Sequence, residues 1–263
     1  MISFDFEYCR PTSKEEAAEA YINLYKENKN PLFYGGGTEI ITMARLNKIH
    51  TGAVIDIKNI PECREINLTK DSIEIGAAVT LTEISEADIF PLLNKVIKNL
   101  ADHTSRCKIT LGGNICGKIP YREAVMPFML CDSTLEIFGP DGLKTLKINS
   151  VFNKTLKLQN GEFITRIITD KKFAELPFVA IKKTKSEKVD YPLISIAAIK
   201  NKNKIKAAFS GVCQYPFMLE KLNIKKLKSS FPDSDITHNL GSAEYRCFVL
   251  KNTVEDIMKS LEA

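Results

Sequence analysis

Residues 32–48 read LFYGGGTEIITMARLNK. Three apolar residues, Leu32, Phe33 and Tyr34, run straight into Gly35-Gly36-Gly37-Thr38-Glu39. The apolar spacing beyond them, from Ile40, predicts a helix over IITMARLNK. Strand, glycine turn and helix is the arrangement in which backbone N–H groups and a helix N-terminus hold an anionic phosphate. Side chains would obstruct that approach, so glycine is what such a turn requires. The stretch fits neither GxGxxG nor GxxxxGK[ST], which argues against a Rossmann fingerprint and against a P-loop. A purely structural turn is the other reading of these residues.

Outward from this point the chain alternates between helical and extended patterns. Upstream, Phe4 and Phe6 flank Asp5 in a short alternating run that Pro11 ends. Thr12-Ser13-Lys14-Glu15-Glu16 is a capping-box sequence in either register, with Thr12 or Ser13 as the cap. The helix EEAAEAYINLYKEN follows, with Ala17, Ala20, Tyr21 and Leu24 on one face, and Asn30-Pro31 stops it. Downstream, AVIDI reads as a buried strand and NIPE as a turn. EINLTKDSIEIGAAV alternates like a hairpin with Lys70-Asp71 at its tip. ADIFPLLNKVIKNLADHT reads as helical, and STLEIFGPDGLKTLKI as a hairpin turned by Pro140-Asp141-Gly142.

Near residue 170 the pattern restarts. PFVAIKKTKSEKVDYPLISIAAIKNKNKIKAAFSGV predicts three antiparallel strands, and KLNIKKLKSSF and VEDIMKSLEA predict two closing helices. The fold class is therefore α+β, divided into 1–60, 61–170 and 171–263. The last division carries 17 Lys/Arg against 10 Asp/Glu, a net of +7, while residues 1–170 are net −2. Its lysines are not interleaved with aromatic stacking residues, so a solvated or subunit-facing surface is expected rather than a nucleic-acid site. No apolar run approaches the roughly 18 to 20 residues of a spanning helix, so no membrane segment is expected. The acidic start MISFDFEYCRPTSKEE does not read as a secretory signal. The 7 cysteines form no CxxC, which points to reduced thiols in the cytoplasm and away from a thiolate-held cluster. His50, His103 and His238 are read as solvated or structural, and Cys116 as a small core residue.

A second glycine turn, Thr110-Leu111-Gly112-Gly113-Asn114, changes the weight of the first. Two such turns, both read at strand ends, can grip a pyrophosphate from two sides.

The ordered set of motifs resembles the FAD-binding subunits of the molybdenum hydroxylase family, typified by xanthine dehydrogenase and carbon monoxide dehydrogenase. The first turn looks like that family's AGGT-type flavin loop, and NIPE after AVIDI like its ID(L)xxIPEL segment. SIEIGAAVTLTEI is similar to its IGAxTTLxEL stretch, and SRCKITLGGNIC to its VRNxATIGGNL loop. PFVAIKKTKSEKVDYPLISIAAI and AFSGV resemble parts of its C-terminal domain. The resemblance runs in order from about residue 3 to residue 260.

That resemblance implies a vanillyl-alcohol-oxidase-type fold of two FAD-binding subdomains, followed by a small α+β domain with a three-stranded antiparallel sheet. It implies a non-covalent FAD, with Phe33 to Ile40 around the pyrophosphate and Thr110 to Asn114 on its other side. Leu100 would match an apolar cofactor contact and Glu123 the acid of the family's SPxxD segment. Ile164 would line the cofactor pocket, and Lys182 would match a lysine near the flavin. Cys107 stands where the family has Asn, Ile109 where it has a small residue, and Tyr34 where it has a small apolar one. By resemblance, electrons arrive singly from an iron–sulfur subunit with [2Fe-2S] clusters. They originate at the molybdenum cofactor of a molybdopterin-binding subunit and leave to NAD or another acceptor. No metal and no catalytic side chain is expected in this chain. A purine or another N-heterocycle is the implied substrate of the assembly. A stand-alone flavin oxidoreductase, a related cell-wall precursor reductase and a flavin-free scaffold subunit are the competing readings.

Overall fold

Three short strands, β1 (Glu7–Cys9), β2 (Leu32–Tyr34) and β3 (Ala53–Asp56), form a parallel sheet in the order β1-β3-β2. The structure, a computed structural model, describes residues 1–185, 189–224, 227 and 241–262. Parallel pairing requires crossovers, and α1 (Lys14–Lys26) and α2 (Thr38–Arg45) supply them. Central β3 is buried at every position, which is why AVID reads as an apolar run without alternation. Ser13 is the cap of α1 and accepts from Glu16 N at 3.1 Å, while Glu16 reaches back to Thr12 N at 2.8 Å. The first strand lies three residues later than the Phe4–Phe6 run suggested. Phe4 instead packs on His50, with ring centroids 4.0 Å apart.

The next sheet has five strands in the order β4-β5-β10-β6-β7, all antiparallel. These are β4 (Ile66–Leu68), β5 (Ser72–Gly76), β6 (Thr134–Gly139), β7 (Gly142–Lys147) and β10 (Phe163–Asp170). Both expected hairpins are present, and Gly142 turns the second with φ +91°. Between β5 and β6 lie five short helices: α3 (Leu81–Ala87), α4 (Pro91–Ile97), α5 (His103–Arg106), α6 (Leu111–Cys116) and α7 (Val125–Leu130). The long helix expected over 87–104 is broken because Asp88 and Ala101 take positive φ, +49° and +53°. After β7 come α8 (Ile148–Val151) and a small ribbon, β8 (Phe152–Asn153) with β9 (Thr155–Leu156).

Among the described residues the C-terminal sheet holds four strands rather than three. Its order is β11 (Phe178–Thr184), β12 (Pro192–Asn201), β13 (Lys204–Ser210) and β14 (Phe217–Leu219). A three-residue strand directly after Pro216 gives no alternation to read. It is held by stacking of Phe217 on Phe209, ring centroids 5.0 Å apart. β12 is buried on both faces: Ile194, Ile196 and Ala198 meet Leu250, Val254 and Ile257 of α9 (Ala243–Glu262), while Ala197 and Ile199 join the core built around Phe128. The helix expected over 254–263 thus begins earlier, at Ala243. The helix expected over 221–231 falls largely outside the described residues. No helix among the described residues is long and apolar enough to cross a membrane.

Candidate cofactor site

The two glycine turns interlock. An ideal Cβ built on Gly36 would lie 1.6 Å from the carbonyl oxygen of Lys108, and one on Gly35 would lie 2.4 Å from Thr110 Oγ1. Both distances are far below contact, so Gly36 is required first by the Lys108 backbone and Gly35 by the Thr110 side chain, and only then by any ligand. Thr110, almost fully buried, is the hub. Its hydroxyl lies 3.4 Å from Gly36 N and accepts from Gly113 N at 3.3 Å, capping α6. Thr110 also forms an isolated antiparallel bridge to Thr80, whose side chain makes a capping box with Glu83 at the start of α3.

The two turns differ in what they leave open. At α6, Leu111 N donates to Val79 O at 2.9 Å, Gly112 N to Ala77 O at 2.8 Å and Asn114 N to Thr110 O at 2.9 Å. The second turn therefore opens a helix rather than ending a strand, and its own fold uses its donors. At α2 the N-cap is Gly37, with φ +71° and no side-chain cap. The N–H groups of Thr38, Glu39 and Ile40 have no hydrogen-bond partner among the described residues. An uncapped helix N-terminus with open donors is where an anion is stabilised.

Gly35 of the first turn and Gly112 and Gly113 of the second line a cavity of about 200 Å³, whose other walls are mainly apolar side chains with Glu162 among them. Phe33, Gly35, Gly112, Gly113 and Ile164 all line it. Phe33 is fixed by Phe163 and Tyr21, ring centroids 4.5 and 5.3 Å away. Ile164 sits where β10 shifts register against β6, an irregularity of the kind that re-aims a side chain. Cys116 is exposed and lines the same cavity, so it is not the small core residue expected from its sequence context.

Other expected contacts gather elsewhere. Glu39 is half-buried and accepts from Lys118 N at 2.9 Å, tying α2 to the chain beyond the second turn. The Asn114 side chain is buried and accepts from Ala124 N at 3.2 Å, which anchors the segment carrying Glu123. Lys182, on β11, is not solvent-facing. Its ammonium lies 3.2 Å from Glu123 Oε1 and donates to Asn99 O at 2.9 Å, with side chains only 7% and 4% exposed. Burial pushes the Glu123 carboxyl above its ordinary value, and Lys182 offsets that only in part. Glu123 Oε1 is buried without an aligned hydrogen bond. Leu100, next to Asn99, is buried in the main core. Leu100, Glu123 and Lys182 thus form a second group, at the seam where β11 meets the helical segment between β5 and β6.

Residues 4–169 match the family described as the FAD binding domain in molybdopterin dehydrogenase. The chain belongs to this family. It is 32% identical over 152 residues to the xanthine dehydrogenase FAD-binding subunit of Escherichia coli O157:H7, covering 56% of this chain and 51% of that protein. The chain therefore spans about half the length of that relative. It is 27% identical over 209 residues to the carbon monoxide dehydrogenase medium chain of Hydrogenophaga pseudoflava, covering 77% and 71% of the two chains. The solved carbon monoxide dehydrogenase from Hydrogenophaga pseudoflava superposes with a TM-score of 0.86 at 22% identity, over 99% of this chain and 98% of that one. Quinoline 2-oxidoreductase from Pseudomonas putida 86 gives a TM-score of 0.82 at 18% identity, over 98% and 97%. The α+β, two-subdomain FAD-binding fold expected from the sequence is the fold of these chains.

The residues present fit an FAD diphosphate: open amide donors, glycines that keep the backbone bare, and a largely apolar cavity lined by both turns. Two residues behind the first turn escaped the sequence reading. Asp56 ends the buried strand AVID, and Lys58 follows in the turn. Their signal was a charged residue closing an apolar run, which is also what an ordinary strand end looks like. A third feature was passed over. His103 and Cys107 are four residues apart, with Nε2 and Sγ separated by 3.7 Å. They are two ligands only; no cluster of three or more His, Cys, Asp or Glu suited to a metal is found among the described residues.

Proposed function

We propose that this chain binds one FAD non-covalently and serves as the electron-transfer subunit of a xanthine dehydrogenase-like molybdenum hydroxylase. The observation that carries the FAD assignment is the uncapped N-terminus of α2, with three open amide donors, following a glycine turn that lines one largely apolar cavity together with the second turn. FAD, when bound, supplies a redox centre that exchanges single electrons and electron pairs. The chain's own part is to bind and orient. The amides of Thr38 to Ile40 stabilise the diphosphate, the cavity at Phe33 and Ile164 takes an apolar part of the cofactor, and Glu123 and Lys182 set charge at the seam beyond.

The wider assembly belongs to the same proposal. An iron–sulfur subunit with [2Fe-2S] clusters delivers electrons, a molybdopterin-binding subunit carries the molybdenum cofactor and acts on substrate, and NAD or another acceptor takes the electrons away. A purine or other N-heterocycle is the substrate class, and the cytoplasm is the place. The division into 1–60, 61–170 and 171–263 is likewise proposed, supported by three principal sheets that each draw on one of these ranges.

Expression of the chain alone and with its molybdenum and iron–sulfur partners tests this reading. Alone, it is expected to show at most NADH–dye diaphorase activity and no purine oxidation. With partners, substrate is expected to bleach the flavin. Oxidation of a small organic substrate by the isolated chain at a useful rate would replace the relay with a stand-alone flavoenzyme.

A further inference from the structure

Behind the first glycine turn stands a small polar network that the cofactor reading does not require. Asp56, at the end of β3, is 1% exposed. One of its oxygens accepts from Lys58 N at 2.9 Å, and the other from Lys58 Nζ at 2.6 Å and from the Tyr8 hydroxyl. Burial alone would raise the Asp56 carboxyl, but the hydrogen bonds from Lys58 and Tyr8 outweigh it and hold it below its ordinary value. The Tyr8 phenol, donating to that carboxylate, is pushed up to about 12. Asp56 is therefore an anion fixed from two sides, and it fixes Lys58 in turn.

Lys58 faces the turn. Its ammonium donates to Gly35 O at 2.8 Å and lies 4.7 Å from the centroid of the Tyr34 ring. The Tyr34 ring presses on the far end of the same turn, since an ideal Cβ on Gly37 would fall 2.0 Å from its hydroxyl. One cation thus reaches the Gly35 carbonyl directly and the Gly37 end through the Tyr34 ring, to which it is attracted. Without it, the Gly35 carbonyl would lose its donor, and Asp56 would remain as a buried charge next to a turn meant for an anion. That last point decides the sign: an uncompensated Asp56 would repel a diphosphate that Lys58 attracts.

We propose that Asp56, Lys58 and Tyr34 form a cationic brace that pre-aims the Gly35–Gly37 turn for a diphosphate, with Lys58 as the positioning residue. The proposal rests on the FAD reading above. It gives Tyr34, where the family has a small residue, a role that a small side chain cannot fill: the surface against which the ammonium is held.

The test uses the full chain and compares wild type with Lys58→Met and Lys58→Arg by fluorescence titration. The probes are FAD and ADP, which carry the diphosphate, and riboflavin, which lacks it. Lys58→Met is expected to weaken FAD and ADP about tenfold, the scale of one hydrogen bond to a charged group. It should leave riboflavin near wild type, lower the melting temperature because Asp56 stays buried without its ammonium, and flatten the salt dependence of ADP binding. Lys58→Arg is expected to restore most of the affinity. Unchanged FAD and ADP affinity in Lys58→Met, or an equal loss for riboflavin, would overturn the brace. Failure of the wild-type chain to bind FAD or ADP at all would instead remove the reading on which it rests.

Discussion

Gly36→Val is expected to abolish FAD binding and to lower the melting temperature measurably. A side chain at this position begins with a Cβ 1.6 Å from the Lys108 carbonyl oxygen. The obstacle is backbone, which no rotamer change relieves, so the two turns must separate. Overpacking of this kind costs on the order of 1–3 kcal/mol where the surroundings can shift, and more where they cannot. Separation also moves Thr110 away from Gly36 and spoils the wall shared by both turns. A loss of affinity of at least ~100-fold follows, since each 1.4 kcal/mol is a factor of ten. Gly113→Ala is the control, because its Cβ would meet only Thr110 Oγ1, at 2.8 Å. That variant should fold and keep part of its affinity. Isothermal titration with FAD checks both. Wild-type affinity in Gly36→Val would mean that the interlocked turns do not form the site.

Lys182→Met carries the second large effect, this time on stability. Removing one partner of a buried ion pair costs about 3–5 kcal/mol, because the other charge stays buried. For a chain of this size that lowers the melting temperature by roughly 6–20 °C. The effect must also depend on pH in a stated direction. The folded chain holds Glu123 above its ordinary value of 4.5, so it favours the protonated carboxyl. The stability this confers is fully present below 4.5 and is lost as pH rises through the higher folded value. Without Lys182 that value rises further, so the penalty of Lys182→Met is smallest near pH 4.5 and grows towards neutrality. Adding Glu123→Gln should recover much of the loss at neutral pH, since no charge then remains at the seam. Thermal unfolding of wild type and both variants at acidic and neutral pH distinguishes this from plain packing damage, which would be flat with pH.

Much of this architecture was legible because local signals were strong. The β2–Gly–α2 junction, both hairpins and the α1 cap each rest on residues that leave the backbone few alternatives. What failed did so for physical reasons. The helix expected over 87–104 carries apolar spacing throughout, yet Asp88 and Ala101 adopt positive φ, a preference that only tertiary packing imposes on such residues. β14 is three residues long, and its existence depends on Phe209 across the sheet. At the site, the glycines were found for a reason only partly theirs. Their pattern reads as clearance for phosphate, whereas Gly35 and Gly36 are needed for one turn to lie against the other. Asp56 and Lys58 went unseen because their meaning depends on the Gly35 carbonyl and the Tyr34 ring, contacts made across the sheet end. Lys182 was assigned by resemblance alone. Its partner Glu123 came the same way, and nothing in the spacing of the two joins them; the fold does, at 3.2 Å.

The absorption spectrum of the purified full chain after incubation with FAD, followed by acid precipitation, tests the central claim most directly. The expected result is a flavin spectrum at one FAD per chain, with the yellow colour released into the supernatant because neither turn offers the cofactor a covalent tether. A chain that stays colourless under reconstitution, or that retains its flavin in the acid pellet, would contradict it.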